Sequence, residues 1–443
     1  RQVLTKDKIF SLCLCLRNLK TIKIQETKIC ISDSETERII SVNGKEYHFE
    51  KFAYSFEVND QAAIEERSSN KRQVSGRQSI FFYIPGHKSE KCFLYAGLPT
   101  EVECRIPLIV DAPFELTTSR DNVVCCRWNK FVRDAVYEGL FQMMEEKKKE
   151  LRIDVLKFVS FHKQNNSVSY QTFSESYLND FNWSDRLKEA RLMPVLNSEK
   201  FVSIEQQGKC LIIPELSAFI SEKIDIADQY DGTIIDTYKK SWYNLLLEWI
   251  GCRKSQVTED LDCIWNAAES MITDETFREK LYGYFRQQEI QSEIANKRLY
   301  GKVKELPIFP VKMENGINYI SFSKDIYTHE SKISDKKFFI LATEIMEYEL
   351  VERITGERVN ELTQEVYDAR YRNNLIAYIK SDKTAKEKAF YVLYEFKNNR
   401  DSFHRCRAEL IGMIDDIPME FLTGDYYTGN NFVKKKGLMF SGE

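Results

Sequence analysis

Residues 106–122 read IPLIVDAPFELTTSRDN, and this stretch decides how the surrounding chain is interpreted. The short apolar run at 108–110 follows a proline and is typical of a buried strand. Pro113 ends that run and bends the chain. Ser119 precedes an amphipathic run that begins at Val123, which is the position of a helix N-cap. The pattern therefore predicts a strand, a bend and a helix that carries Arg120 in its first turn and continues to residue 150.

Arg120 is the candidate functional residue of this stretch. A guanidinium at the junction of a strand and a helix is free to form a fork with a carboxylate or a phosphate. The alternative is an ordinary ion pair with a neighbouring Asp or Glu. Spacing alone favours this alternative, because such pairs are common on protein surfaces.

Residues 113–122 resemble a segment of the sacsin-like relatives of the GHKL ATPases, the superfamily of gyrase, heat-shock chaperones, histidine kinases and MutL. They also resemble, more distantly, a Ser-Arg-Glu segment in the middle domain of the large heat-shock chaperones. The resemblance covers residues 1–160 and is weaker beyond them. It implies that Arg120 contacts the terminal phosphate of ATP held in the neighbouring domain, and that Ser119 caps the helix carrying Arg120.

The same resemblance implies an α+β, multidomain chain. A mixed-sheet, ribosomal-protein-like transducer domain would be followed by helix-rich regions with short β-hairpins. Residues 1–60 would be the C-terminal part of a GHKL nucleotide-binding domain and residues 75–160 the middle or transducer domain. Residues 161–330 would form a helical region with β-hairpins, and residues 331–443 a mainly helical C-terminal region.

Local patterns predict individual elements within this plan. The Asn43-Gly44 pair between two alternating runs predicts a hairpin over 39–49 with a type I′ turn. Further strands are predicted at 19–24, 79–84, 92–96 and 106–110, and helices at 6–17, 338–353, 360–379 and 386–398. A basic cluster of Arg67, Lys71, Arg72 and Arg77 is interpreted as a solvated loop in preference to a phosphate site.

A weak internal repeat follows residue 160. Residues 192–203 and 308–321 each read as a strand, a polar turn and a second strand. Helical sequence between them carries apolar faces, which predict core positions for Trp242, Leu245, Leu246 and Trp249 on one face and for Leu261, Ile264, Trp265, Ala268 and Met271 on another. Two copies are fewer than the three that a stacked solenoid needs, so no solenoid is predicted.

Composition argues against several classes of function. The net charge of −4 gives no general attraction to nucleic acid or to an anionic membrane. The longest apolar run, at 10–16, is far shorter than the roughly 20 residues of a membrane span. Eleven cysteines without regular spacing favour reduced thiols and a cytoplasmic location. The five histidines lack metal-ligand spacing, so no metal site is predicted.

A GHKL pocket needs a helix with Glu and Asn, an Asp-x-Gly-x-Gly segment and a glycine-rich lid, and the sequence contains none of them. Under the resemblance these parts precede Arg1. The chain is therefore expected to be a fragment of a bacterial, cytoplasmic, chaperone-like ATPase whose intact form binds ATP and Mg²⁺, while the fragment alone binds neither.

The expected partners are the upstream nucleotide-binding domain and a protein client, with homo-oligomerisation left open and nucleic acid disfavoured. Two alternatives stay open for the function of the chain. One is a non-enzymatic scaffold with a degenerate nucleotide domain. The other is a component of a bacterial phage-defence system that processes nucleic acid.

Overall fold

The computed structural model describes residues 13–14, 16, 19–24, 26–68, 77–86, 92–159, 161–164, 167–237, 240–313, 316–328, 339–406, 419–420 and 426–427. Its contacts divide the chain into two compact units, Arg1–Ile264 and Trp265–Glu443. Both units contain helices and separate sheets, which confirms the α+β class. The helix predicted at 6–17 falls almost entirely outside the described residues.

An eight-stranded sheet is the framework of the first unit, with strand order β1-β2-β3-β4-β5-β8-β6-β7. Neighbouring strands are antiparallel except β6 and β8, which run parallel. The strands are β1 (Thr21–Ile24), β2 (Thr27–Asp33), β3 (Glu37–Val42), β4 (Lys45–Glu57), β5 (Arg77–Pro85), β6 (Cys92–Tyr95), β7 (Pro99–Cys104) and β8 (Ile109–Asp111).

The hairpin predicted over 39–49 is confirmed as the β3–β4 connection. Val42 pairs with Lys45, and the two residues between them, Asn43 and Gly44, have φ values of 51° and 86°. Two successive positive φ values are the mark of a type I′ turn. The Asn43 side chain also accepts a hydrogen bond from the backbone of Lys28 at 2.8 Å, which ties the turn to β2.

The long pairing of β4 with β5 runs from Phe49 opposite Pro85 to Glu57 opposite Arg77. These strands lie on either side of residues 60–75, where the sequence places a domain boundary. The described strands on the two sides of that boundary therefore form one continuous layer. A short helix, α1 (Gln61–Ser68), leaves the end of β4 within the connection to β5.

One long helix, α2 (Arg127–Leu151), packs on this sheet. Trp128, Val132, Val136, Leu140 and Met143 are fully buried at spacings of four and three residues, so one face of the helix enters the core. Gly139 marks the closest approach, because a Cβ at this position would lie 2.8 Å from a Phe82 ring atom and 2.9 Å from Tyr54.

Shorter elements complete the first unit. Three-residue to seven-residue 3₁₀ helices occur at Arg152–Phe158, Ser176–Asn179, Ala227–Gln229 and Ser241–Tyr243. The strands are β9 (Phe161–Gln164), β10 (Ser167–Tyr170), β11 (Met193–Pro194), β12 (Phe201–Val202), β13 (Cys210–Ile212), β14 (Thr233–Ile234) and β15 (Arg253–Lys254). The helices are α3 (Trp183–Glu189), α4 (Ile204–Gln207), α5 (Glu215–Ile220), α6 (Asn244–Trp249) and α7 (Val257–Met271), and the division between the units falls inside α7.

The second unit continues with helices and a four-stranded sheet of order β17-β16-β19-β18. Its helices are α8 (Glu275–Phe285), α9 (Gln288–Asn296), α10 (Tyr300–Glu305), α11 (Tyr348–Thr355), α12 (Gln364–Lys380) and α13 (Ala385–Asn398). Its strands are β16 (Phe309–Met313), β17 (Gly316–Ile320), β18 (Ile326–Tyr327), β19 (Phe339–Leu341), β20 (Met419–Glu420) and β21 (Tyr426–Tyr427).

The helices predicted at 360–379 and 386–398 are confirmed as α12 and α13. The helix predicted at 338–353 is wrong in its first half. Residues Phe339–Leu341 form β19, and the helix α11 begins only at Tyr348. Pairing of β19 with both β16 and β18 supplies the hydrogen bonds that a helix would otherwise satisfy internally.

Both predicted hairpins of the internal repeat are confirmed, with the same register. Pro194 pairs with Phe201 in the first, and Pro310 pairs with Tyr319 in the second. The residue after each proline pairs antiparallel with a further segment: Val195 forms an isolated bridge with Ile235, directly after β14, and Val311 pairs with Leu341 of β19. In each copy that strand, β14 or β19, runs parallel to a further strand, β13 or β18.

The sequence of the two copies agrees beyond the hairpins. The segment 187–195 reads LKEARLMPV, and 303–311 reads VKELPIFPV. The later segments 246–251 and 350–356 read LLEWIG and LVERITG, and each ends in a glycine with positive φ, Gly251 and Gly356. We therefore describe 187–251 and 303–356 as two copies of one module.

Three side chains predicted to be core are exposed instead. Trp242 is 57 % exposed, Leu245 is 46 % exposed and Trp265 is 50 % exposed. The core positions of α6 are taken by Leu246 and Leu247, which are fully buried. Periodicity predicts that Leu245 and Leu246 share the buried face of this helix; the prediction is confirmed for Leu246 and is wrong for Leu245.

Candidate functional site

Arg120 lies at the tip of a tight loop. The two sides of the loop meet at an isolated antiparallel bridge between Leu116 and Val123. The backbone N–H of Thr117 donates to the carbonyl of Asn122 at 2.9 Å, and the N–H of Arg120 donates to the carbonyl of Thr117 at 2.9 Å. These bonds make the segment a closed turn, not the first turn of a helix.

The predicted helix start is therefore wrong. Helix α2 begins at Arg127, seven residues after Arg120, and its N-cap is Cys126, whose Sγ accepts a hydrogen bond from the N–H of Asn129. Ser119 does not cap the helix. Its hydroxyl donates to the Asp121 carboxylate at 2.5 Å, within the turn.

The Asp121 carboxylate organises the turn. Its Oδ1 accepts hydrogen bonds from the hydroxyls of Ser119 at 2.5 Å and Thr117 at 2.7 Å. These two bonds lower the pKa of Asp121 below its ordinary value, because they favour the charged form. The backbone carbonyl of Asp121 also accepts from the N–H of Glu101 at 2.8 Å, which fastens the turn to strand β7.

The Arg120 guanidinium is presented to solvent. The residue is exposed, and its side chain makes no hydrogen bond or ion pair with any residue in the described part of the chain. The neighbouring Asp121 carboxylate is engaged by hydroxyl groups. The local ion pair that spacing alone favoured is therefore not formed among the described residues.

The Arg120 backbone has a φ of 61°, in the left-handed region. For a residue with a Cβ this conformation costs about 1–2 kcal/mol. The surrounding hydrogen bonds of the turn impose it, and it sets the direction in which the side chain leaves the tip. Such backbone strain is found preferentially at binding and catalytic sites.

The base of the loop is fixed by the buried Asn129 side chain. Its Oδ1 accepts from the N–H of Glu115 at 2.7 Å, and its Nδ2 donates to the carbonyls of Glu115 and Val124, both at 2.7 Å. The indole N–H of Trp128 donates to the carbonyl of Pro113 at 2.9 Å. Helix α2 thus holds both sides of the loop by side chains of its first turn.

A second support comes from helix α1. The Arg67 guanidinium lies 4.1 Å from the centre of the Trp128 ring, and its Nε lies 2.9 Å from Oε1 of Glu115. The carboxylate of Glu66 accepts a hydrogen bond from the N–H of Arg127 at 3.1 Å. The prediction that Arg67 belongs to a solvated cluster is wrong, since its side chain is only 11 % exposed.

Sequence reasoning missed Asn129, Arg67 and Glu115 as parts of this site. The sequence offers two signals for these residues. Asn129 is a polar residue on an otherwise apolar helix face, and Arg67 and Glu115 are opposite charges 48 positions apart. Neither signal specifies a contact without the fold.

No group of three or more His, Cys, Asp or Glu residues that could hold a metal ion occurs among the described residues. Within the same part of the chain, none of the helices has the length and apolar character needed to cross a bilayer. Comparisons of the chain with protein-family models, with curated proteins and with solved structures found no match.

Proposed function

We propose that this chain belongs to a GHKL-type, ATP-dependent conformational machine of the cytoplasm, in which Arg120 contacts the terminal phosphate of ATP bound by an upstream domain. The observation that carries the proposal is the exposed guanidinium, which has no partner among the described residues and stands on a turn held by hydrogen bonds from several elements. An arginine held in this way is suited to an anion supplied from outside its own domain.

The chemistry follows from the charge of the transferred phosphoryl group. Negative charge develops on its oxygens in the transition state, and a fixed guanidinium stabilises this charge without reorganising when reaction occurs. Within this chain, Asp121 holds the shape of the turn and Asn129 holds its base. ATP and Mg²⁺ would be bound by the upstream domain.

The fold around the loop supports a role in transmitting nucleotide state. The loop is fastened to β7 through Asp121 and to α1 through Glu115, so an anion bound at the tip connects to two separate elements of the first unit. We propose that β5–β8 and α2 are the ribosomal-protein-like transducer domain, and the parallel β6–β8 pair within a mostly antiparallel sheet supports this assignment. We further propose that the two module copies form the region that binds the client.

The test uses the full-length protein with its upstream nucleotide-binding domain. Arg120→Gly removes the guanidinium but keeps the backbone, because glycine adopts positive φ readily. We expect its kcat for ATP hydrolysis to fall by about a hundredfold, as loss of one transition-state donor typically does, with a smaller change in ATP binding. Arg105→Gly at an exposed arginine of the same unit is the matched control.

Unchanged turnover in Arg120→Gly, in a protein that does hydrolyse ATP, would exclude the phosphate-contact role. Absence of ATPase activity from the unaltered full-length protein would instead support the non-enzymatic scaffold. Arg120→Lys separates charge from shape: a lysine that restores most of the turnover shows that a point charge is sufficient, whereas a low rate shows that the planar fork is required.

A further inference from the structure

A groove of about 550 Å³ lies on the second unit, between the end of α12 and the first turns of α13. Its lining consists of Tyr378, Thr384, Glu387, Phe390, Tyr391 and Tyr394. Four of these six side chains are aromatic, and Glu387 is the one that carries a charge at neutral pH. The volume is within the range of small-ligand sites.

The aromatic lining consists of one stacked pair of rings and two exposed rings. The rings of Tyr378 and Tyr391 stack with their centres 3.9 Å apart and an interplanar angle of 26°. Phe390 and Tyr394, four residues apart on α13, are 63 % and 61 % exposed. Clusters of exposed aromatic side chains are typical of binding sites, whereas single exposed apolar residues are not.

The exposed face of another amphipathic helix of this unit, α8, shows the contrast with Phe390 and Tyr394. When the buried residues Leu281 and Tyr284 of α8 are matched to the buried Val392 and Glu395 of α13, Phe390 and Tyr394 correspond to Glu279 and Gly283. Both of those residues are exposed.

Glu387 is held as a fixed carboxylate at the N-terminus of α13. It forms a capping box in which its Oε2 accepts from the N–H and from the hydroxyl of Thr384, both at 2.9 Å. These bonds lower the pKa of Glu387, so it is charged at neutral pH. Its Oε1 makes no hydrogen bond to another described residue, and it is available to a ligand.

We propose that this groove binds an arginine side chain of a partner protein, with the guanidinium stacked on the tyrosine and phenylalanine rings and donating to Oε1 of Glu387. Aromatic faces attract cations, and a planar guanidinium can stack on a ring while it forms a fork with a carboxylate. A guanidinium is also more weakly hydrated than an ammonium group, which lowers the cost of leaving water at an open site.

The surroundings restrict the sequence around that arginine. Lys383 and Lys388 lie four residues before and one residue after Glu387 in the sequence, outside the lining of the groove. They would repel a polybasic peptide, so the partner's arginine is expected to be flanked by neutral or acidic residues. A single-stranded nucleic acid, stacking its bases on the same rings, is the competing occupant that the test must separate.

The test is saturation-transfer difference NMR on the 443-residue chain at about physiological ionic strength. The probe is the blocked peptide Glu-Gly-Arg-Gly-Glu. The control peptide has citrulline in place of arginine, which keeps the shape and removes the charge. We expect transfer to the arginine side-chain protons, and binding of the citrulline peptide weaker by about tenfold.

Matched variants of the protein separate the contribution of the aromatic rings from nonspecific hydrophobic binding of the peptide. Phe390→Leu and Tyr394→Leu keep an apolar side chain but remove the ring, and each should weaken binding of the arginine peptide by about three- to tenfold. Tyr394→Phe keeps the ring and should bind as the unaltered chain does. Because both positions are exposed, all three variants are expected to fold normally, which circular dichroism checks.

Equal binding of the arginine and citrulline peptides, or equal binding by the leucine variants, would overturn the proposal. So would binding of an oligothymidylate that is lost in the leucine variants while the arginine peptide shows no transfer. Preference for arginine over citrulline together with loss in both leucine variants would establish the site.

Discussion

The ion pair between Arg67 and Glu115 ties helix α1 to the base of the Arg120 loop, and its energetic weight can be worked out from the structure. The side chains are 11 % and 17 % exposed, and Nε and Oε1 are 2.9 Å apart. Two unit charges about 4 Å apart attract by about 4 kcal/mol at the effective dielectric constant of a protein surface. Desolvation of both groups cancels much of that attraction, so the pair itself adds little net stability.

Breaking one side of the pair has a larger effect than the pair's net contribution. Arg67→Met keeps much of the aliphatic volume over Trp128 but leaves the Glu115 carboxylate without this cation, and we expect it to lower the free energy of unfolding of the first unit by about 3 kcal/mol. Glu115→Gln retains an oxygen that can accept a hydrogen bond and should cost about 1–2 kcal/mol. In the double variant the two neutral groups meet, so its loss should fall short of the sum by about 2 kcal/mol.

Urea denaturation followed by tryptophan fluorescence measures these four proteins, with Arg105→Met as the control at an exposed arginine. Equal m-values across the set are required for the comparison. Strict additivity, with the double variant losing the sum of the single losses, would show that Arg67 and Glu115 do not interact, and the link from α1 to the loop would then rest on the Glu66–Arg127 hydrogen bond and the contact of Arg67 with Trp128.

Three further predictions concern the same unit and its neighbour. Arg120→Gly should raise the free energy of unfolding by up to about 1 kcal/mol, because glycine adopts the φ of 61° without strain; a loss in urea denaturation would show that the guanidinium itself holds the turn. Gly139→Ala should destabilise by about 1–3 kcal/mol through its contact with Phe82, whereas Gly283→Ala, with open space around it inside α8, should stabilise by about 0.5–1 kcal/mol in the same assay. The pKa of Asp121 is lower in the folded chain than its ordinary value of 3.8, so the charged carboxylate stabilises the fold above pH 3.8. This stabilisation is lost as the pH falls through the lower pKa of the folded chain. The difference in urea midpoint between the unaltered chain and Asp121→Asn should therefore be constant near neutral pH and become smaller in acid.

The sequence predicts the β3–β4 hairpin well because a local signal decides it. Asn43 and Gly44 accept positive φ at low cost, and the alternating runs on either side then pair in only one register. The helices α12 and α13 also have local start signals in the structure, since the side chains of their N-caps, Thr363 and Thr384, accept hydrogen bonds from the backbone N–H groups of Val366 and Glu387.

The error at Arg120 has the opposite cause. Ser119 and Asp121 are both suitable for a helix N-cap and both suitable for a turn, so their local chemistry does not distinguish the two structures. The decision comes from residues distant in sequence: the N–H of Glu101 on β7 donates to the carbonyl of Asp121, and Asn129 closes the base of the loop. The chemical character of Arg120 was visible in the sequence, whereas its position on a turn depended on contacts that only the fold supplies.

The two copies of the module share a framework and differ at exposed positions. The two copies keep the proline and the hairpin register, with Pro194 and Pro310 at matching positions, so the framework has been preserved. Their exposed positions differ: with Leu246 and Leu350 aligned, Leu245 of the first copy corresponds to Glu349 of the second. A change from leucine to glutamate at an exposed site alters what the surface binds while leaving the core unaffected. Under the proposal that the modules bind the client, we expect binding specificity to reside on the outer helix faces, where the copies differ, and not in the hairpins that they share.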